Sequence, residues 1–170
     1  ADVPREKLDV FLKQTREDYA PDFQVKNPGT NGDLLVVKYL EPEVSHAGLL
    51  GLDLGTDADR RTVAEKARDT GGAVISGRIQ LYGAKPGLED GLMMMMPVYR
   101  NGVRTETLEE RRANIQGWVF ARFVMVQLMN GILDDKASML RFQIFDREAG
   151  GGQNTVYDTD EAAGSTAAAF

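Results

Sequence analysis

One stretch, residues 48–82 (GLLGLDLGTDADRRTVAEKARDTGGAVISGRIQLY), constrains this chain more than any other, because boundary chemistry and periodicity agree along it. It predicts a short strand, a capped helix and a long strand. Thr56, followed three residues later by Asp59, resembles a capping box with Asp in place of the usual Glu or Gln. Asp57 and Asp59 put negative charge in the first turn, where the helix dipole favours it, and Asp57 can meet Arg60 or Arg61 one turn on. Gly71 and Gly72 close the helix, since glycine tolerates the left-handed conformation of a helix end. Between these marks Val63, Ala64 and Ala67 form a narrow apolar stripe, small enough for close approach to a sheet, and Arg61, Glu65 and Arg68 are left to water. Residues 73–82 then alternate. Ala73, Ile75, Gly77, Ile79 and Leu81 fall on one side, and Val74, Ser76, Arg78, Gln80 and Tyr82 on the other.

The remaining segments complete a sheet. Residues 3–19 read as an amphipathic helix with Leu8, Phe11, Leu12 and Thr15 on one face, stopped by Pro21. A brief strand at 23–25 and dense turn chemistry at 27–33 (NPGTNGD) lead into a strand at 34–41 (LLVVKYLE), ended by Pro42. Residues 49–53 form the short strand before the capped helix. A hairpin loop at 83–91 then joins the long strand to one at 92–100 (LMMMMPVYR). A polar excursion at 101–112, helical at 108–112, precedes a fifth strand at 114–123. The order strand, strand, helix, strand, strand, strand is that of an α+β, PAS-like fold: a five-stranded antiparallel sheet with a helical crossover on one face. From Val124 the period changes to a helix reaching Leu133, and strands at 140–146 and 155–158 are joined by a Gly-rich loop. The expected division is an N-terminal helix at 1–20, a PAS-like domain at 21–123, and a linker helix with part of a second PAS-like domain at 124–170.

Composition narrows the function classes. At 170 residues and 42% hydrophobic content the chain can bury a core, and its net charge of −6 argues against nucleic acid or an anionic lipid surface as partner. The absence of cysteine excludes disulfides, zinc-thiolate sites and thiol nucleophiles. No run approaches the roughly 20 apolar residues of a membrane helix and no signal peptide opens the sequence, so a membrane protein would contain these residues as its water-exposed piece.

No catalytic constellation announces itself. His46 is the single histidine and reads as a surface or hinge residue. Gly48, Gly51 and Gly55 lack a P-loop lysine, and Asp53, Asp57 and Asp59 lack the glycine and closing Glu of a calcium loop. No cofactor is implied. In a strand the run Met93–Met96 sends two thioethers to each face, which suits core filling or an adaptable pocket wall that includes Met94. Tyr39, Glu41, Ser76, Arg78 and Trp118 set polar or amphipathic groups among apolar neighbours, as a small-ligand cavity requires. The alternative is that Glu41 and Arg78 pair with each other across the sheet. In a cavity, Arg78 would favour a carboxylate, and Glu41 an amine or ring nitrogen.

Glu41-Pro42, Gly51-Leu-Asp53-Leu, Asp59-Arg60-Arg61, residues 67–71 (ARDTG), Pro97-Val98-Tyr99 and residues 117–120 (GWVF) together resemble a CHASE domain over about residues 34–133. CHASE domains are extracytoplasmic sensor modules of histidine kinases and nucleotide cyclases, and of the plant cytokinin receptors. The resemblance implies a stalk helix, a membrane-distal ligand-binding PAS-like domain and a membrane-proximal one, with transmembrane helices outside the sequence. It implies an acidic ligand contact within residues 41–43 and another at Ser76, while Asp53 and Arg60 or Arg61 hold the helix against the sheet. Location on the periplasmic or extracellular side, a small-molecule ligand and a homodimer through the stalk helix follow as expectations. The rival reading is a structural or protein-interaction domain whose cavity is filled by its own methionines and Trp118.

Overall fold

The computed structural model describes residues 1–30, 32–41, 47–82, 90–133, 141, 143–147 and 152–160. Its elements run β1 (Asp2–Val3), a 3-10 turn (Arg5–Lys7), α1 (Leu8–Asp18), β2 (Leu34–Leu35), 3-10 turns at Ala47–Leu49 and Leu54–Thr56, α2 (Ala58–Thr70), β3 (Val74–Ile75) and β4 (Ile79–Gln80). They continue with β5 (Asp90–Tyr99), α3 (Leu108–Asn114), β6 (Ile115–Val124), α4 (Met125–Leu133), β7 (Gln143–Arg147) and β8 (Gln153–Asp158). The architecture is α+β with antiparallel sheets. Two compact units divide the chain, Ala1–Val74 with Met94–Phe120 and Ile75–Met93 with Ala121–Phe170.

The first unit is built on Val3, Phe23, Leu34 and Val36, with Leu8, Phe11 and Leu12 of α1 packed onto them. The apolar face of α1 therefore belongs to its own core. Helix formation starts at Leu8 rather than at residue 3, because Pro4 is extended (φ −55, ψ 137) and Asp2 and Val3 pair with Leu35 and Leu34. The expected strands at 34–41 and 49–53 shrink. Residues 34–37 are buried and pair with β1 on one side and, through Val36 and Val37, with Asp53 and Leu52 on the other; Lys26 joins at Leu52. Residues 47–49 coil into a turn, and Gly51 makes the reversal possible. Its φ of 80 suits glycine alone, and a Cβ there would run into the Gln24 carbonyl oxygen.

Helix α2 keeps its expected length, with Val63, Ala64 and Ala67 buried and Gly71 left-handed at its end (φ 76). Its cap is Asp57, not Thr56. The Leu54–Thr56 turn comes first, Thr56 Oγ1 donates to the Asp53 carbonyl at 3.0 Å, and Asp57 is left to accept the Arg60 N–H at 3.0 Å. Arg60, 2% exposed, also pairs with Asp57, so Arg60 is the arginine turned inward; Arg61 and Arg68 are half-buried and Glu65 is exposed.

The one five-stranded sheet expected over residues 34–123 is not what the described residues form. β2 pairs with β1, while β3, β4 and β6 all pair with β5, and the single long strand expected at 73–82 is interrupted. Its interruption lies in the second unit, where Ser76 N–H bonds the Met93 carbonyl and Ile79 pairs with Gly91. Two residues lie between Ser76 and Ile79 while one lies between Gly91 and Met93, so the strand carries one extra residue, a β-bulge. The Ser76 hydroxyl stabilises it by accepting the Met93 N–H at 2.9 Å and donating to the Gly77 carbonyl at 2.7 Å. Parity slips as a result: Ser76, Ile79 and Leu81 are buried, whereas Ile75 is 59% exposed. Met125, Met129 and Tyr157 form this unit's core, with the hairpin β7–β8 paired from Gln143↔Asp158 to Arg147↔Gln153. His46 and residues 83–89 lie outside the described residues.

Replacing Gly51 by Ala is expected to cost at least about 3 kcal/mol, since both backbone strain and collision act there. Gly72→Ala, with open space at the Cβ position, should change stability by less than about 0.5 kcal/mol. Urea unfolding of the two variants checks the contrast, and equal losses would contradict it.

Candidate functional site

The approach to α2 is organised by one buried carboxylate. Asp53 is fully buried (0% exposed), and its side chain accepts N–H groups from Gly29, Leu35 and Gly55, each at 2.9 Å. Three separate backbone segments thus converge on one side chain, and a carboxylate can satisfy all three because it only accepts. Arg61 adds a second tie: Nε donates to the Gly55 carbonyl and Nη2 to the Asp33 carbonyl, both at 2.9 Å.

The far end of α2 is held as firmly. Asp69 accepts from Arg112 Nη2 at 2.6 Å, from Arg112 Nε at 3.0 Å and from Arg68 Nε at 2.7 Å, while its carbonyl accepts from Arg111 Nε at 2.8 Å. Hydrogen bonds from Arg112 and then Arg68 hold its carboxyl well below the usual carboxylate range. Tyr99 Oη donates to the Arg68 carbonyl at 2.5 Å, and burial raises the pKa of this phenol. Arg111 and Arg112 come from α3, which opens with a capping box: Thr107 accepts the Glu110 N–H at 3.2 Å and Glu110 accepts the Thr107 N–H at 3.1 Å. That box is written in the sequence as Thr107-Leu-Glu-Glu110, within the polar excursion at 101–112.

The residues expected to line a pocket fall into both units. In the first, Tyr39 is 58% exposed, its ring edge-to-face with Tyr19 at 4.9 Å and Lys38 Nζ 5.0 Å from its centroid. Glu41 is exposed two residues on, and Met94 is half-buried. Trp118 is half-buried beneath α2 and donates its indole N–H to the Ala64 carbonyl at 2.8 Å, a contact the small residues of the helix stripe permit. In the second unit the Ser76 hydroxyl is committed to backbone at the bulge, and the exposed Arg78 donates to the Thr155 carbonyl at 3.2 Å. Glu43, the other acidic residue of the implied contact, lies outside the described residues. The methionine run divides by strand alternation, with Met93 and Met95 each 2% exposed and Met96 55% exposed.

Among the described residues no cluster of three or more His, Cys, Asp or Glu is placed to hold a metal ion, and no helix is long and apolar enough to cross a membrane. Comparison with curated proteins yields no match. The CHASE domain family model matches residues 1–157, nearly the whole sequence, and the chain belongs to the CHASE domain family. CHASE domains are sensor modules of signalling receptors, typically extracytoplasmic, and are not catalytic.

Two substitutions probe the ends of α2. Asp53→Ala leaves three N–H groups without their acceptor and should cost about 3 kcal/mol or more in chemical unfolding; a loss under about 1 kcal/mol would show that the carboxylate is dispensable. Asp69→Asn should cost about 1 kcal/mol at neutral pH. Because the folded pKa of Asp69 is depressed, its contribution is present above the unfolded value of about 3.9 and is lost as pH falls toward the folded value. The gap between wild type and variant should therefore narrow below about pH 4, and a gap constant down to acid would assign the loss to something other than charge.

Proposed function

We propose that this chain is the small-molecule-sensing ectodomain of a transmembrane receptor of the histidine kinase or diguanylate/adenylate cyclase type. The family match across residues 1–157 carries the reading, since sensing is what CHASE domains contribute to receptors. In this reading residues 1–20 are the stalk, residues 21–123 a membrane-distal PAS-like sensor, and residues 124–170 the linker and part of a membrane-proximal domain. The helix-over-sheet contact between Ala64 and Trp118 supports the PAS-like comparison for the first unit. Tyr39, Glu41, Met94 and Trp118 in the first unit, and Ser76 and Arg78 in the second, are the proposed ligand contacts. Tyr39 and Glu41 are both exposed and offer an aromatic ring and a carboxylate suited to a nitrogen heterocycle or an amine. Ligand affinity that differs between two arrangements would bias the output, and α4 is the element proposed to carry the shift. A homodimer through α1 would use the outward side bearing Val10, 56% exposed, because Leu8, Phe11 and Leu12 are taken up internally.

One observation favours a second reading, an interaction module without a small-molecule ligand: the Trp118 indole already occupies room beneath α2 and has its donor satisfied. Thermal unfolding of the chain with purines, amino acids and carboxylates separates the two. A sensor should gain stability with ligand concentration, by about 2.7 kcal/mol at a hundredfold excess over Kd, and Glu41→Gln should weaken that gain. A melting temperature unmoved by all three classes supports the interaction module instead.

A further inference from the structure

We infer that the turn spanning Gly29, Gly32 and Asp33 is a mechanical link between α1 and α2, gripped from both sides by guanidinium groups. Arg5, in the 3-10 turn that runs directly into α1, donates Nε to the Gly32 carbonyl at 2.7 Å and Nη2 to the Gly29 carbonyl. Arg61, in the first turns of α2, donates to the next carbonyl along, that of Asp33, at 2.9 Å, and with its Nε holds Gly55 at the entry to the same helix. The planar, forked guanidinium fixes orientation as well as distance, so each arginine acts as a stiff strut rather than a loose tether. The described residues of the turn are themselves held. Asp53 binds the Gly29 N–H from the buried side, Gly32 is left-handed (φ 69), and a Cβ added at Gly29 would stand 3.2 Å from the Thr56 methyl.

Neither arginine reaches the other helix directly. Beside the buried route through Asp53 and the core, displacement of α2 therefore has a surface route to the base of α1, from Arg61 at the Asp33 carbonyl to Arg5 at the Gly32 and Gly29 carbonyls. Both grips lie near the surface, where a single hydrogen bond adds little to stability; what distinguishes a link from two decorations is coupling. The inference concerns mechanics within the first unit and stands whether or not the chain binds a small molecule.

Hydrogen exchange of the full chain, in wild type, Arg5→Met, Arg61→Met and the double variant, tests it. Arg61→Met should speed exchange of α1 amides by about threefold or more, and Arg5→Met should do the same for α2, with the double variant adding little to either remote effect. Exchange in β8, in the other unit, should stay at its wild-type rate. Remote effects that are absent, or that multiply independently in the double variant, would overturn the link. A uniform rise that includes β8 would overturn it too, by showing general destabilisation. Should Arg61→Met fail to fold, Arg61→Lys keeps the charge but cannot span the Gly55 and Asp33 carbonyls, and gives the same readout.

Discussion

The first unit depends on a carboxylate that never meets water. Asp53 gathers the amides of Gly29, Leu35 and Gly55, so a turn, a strand and the entry to α2 are positioned by the two oxygens of one side chain. Buried backbone donors need partners, and irregular segments cannot supply them to one another as a ladder does. A charged acceptor at the junction solves this for all three at once. Because Asp53 also accepts the Thr56 hydroxyl through its carbonyl, the same residue sets where α2 can begin.

From that junction the helix is fixed at both ends and touched in the middle. Arg61 and Asp57 define its start, Asp69 with Arg111 and Arg112 defines its finish, and Trp118 meets the Ala64 carbonyl between them. Alanine at 64 and 67 is the condition for this closeness, since a larger side chain would lift the helix from the indole. The middle of the helix is thus held by its buried stripe and one directional bond, and its ends by polar contacts.

What could be read from the sequence was local. The end of α2 at Gly71, its buried stripe, and the extents of β5 and β6 follow from periodicity and from residues adjacent to the feature they control. Thr56 and Asp57 are both competent caps, and only the turn at 54–56, fixed by Asp53, decides between them. Alternation over 73–82 was real but could not disclose a one-residue slip, because the bulge depends on which carbonyl Ser76 meets. The pairing of Asp69 with Arg112 spans 43 positions, and neither residue carries a local mark of its partner. Among the proposed contacts, Ser76 is polar in an apolar setting, and the backbone it holds accounts for that. Residue type was informative there, while the role remained a property of three dimensions.

The bulge at Ser76 has a bearing on how sequences of this kind can vary. Ile75 faces outward and Ile79 inward, four positions apart, which an unbroken strand forbids. Removing one residue between them, such as Gly77, would leave both facings intact on a regular ladder. The backbone at this site thus accommodates two chain lengths, one with the extra residue and one without.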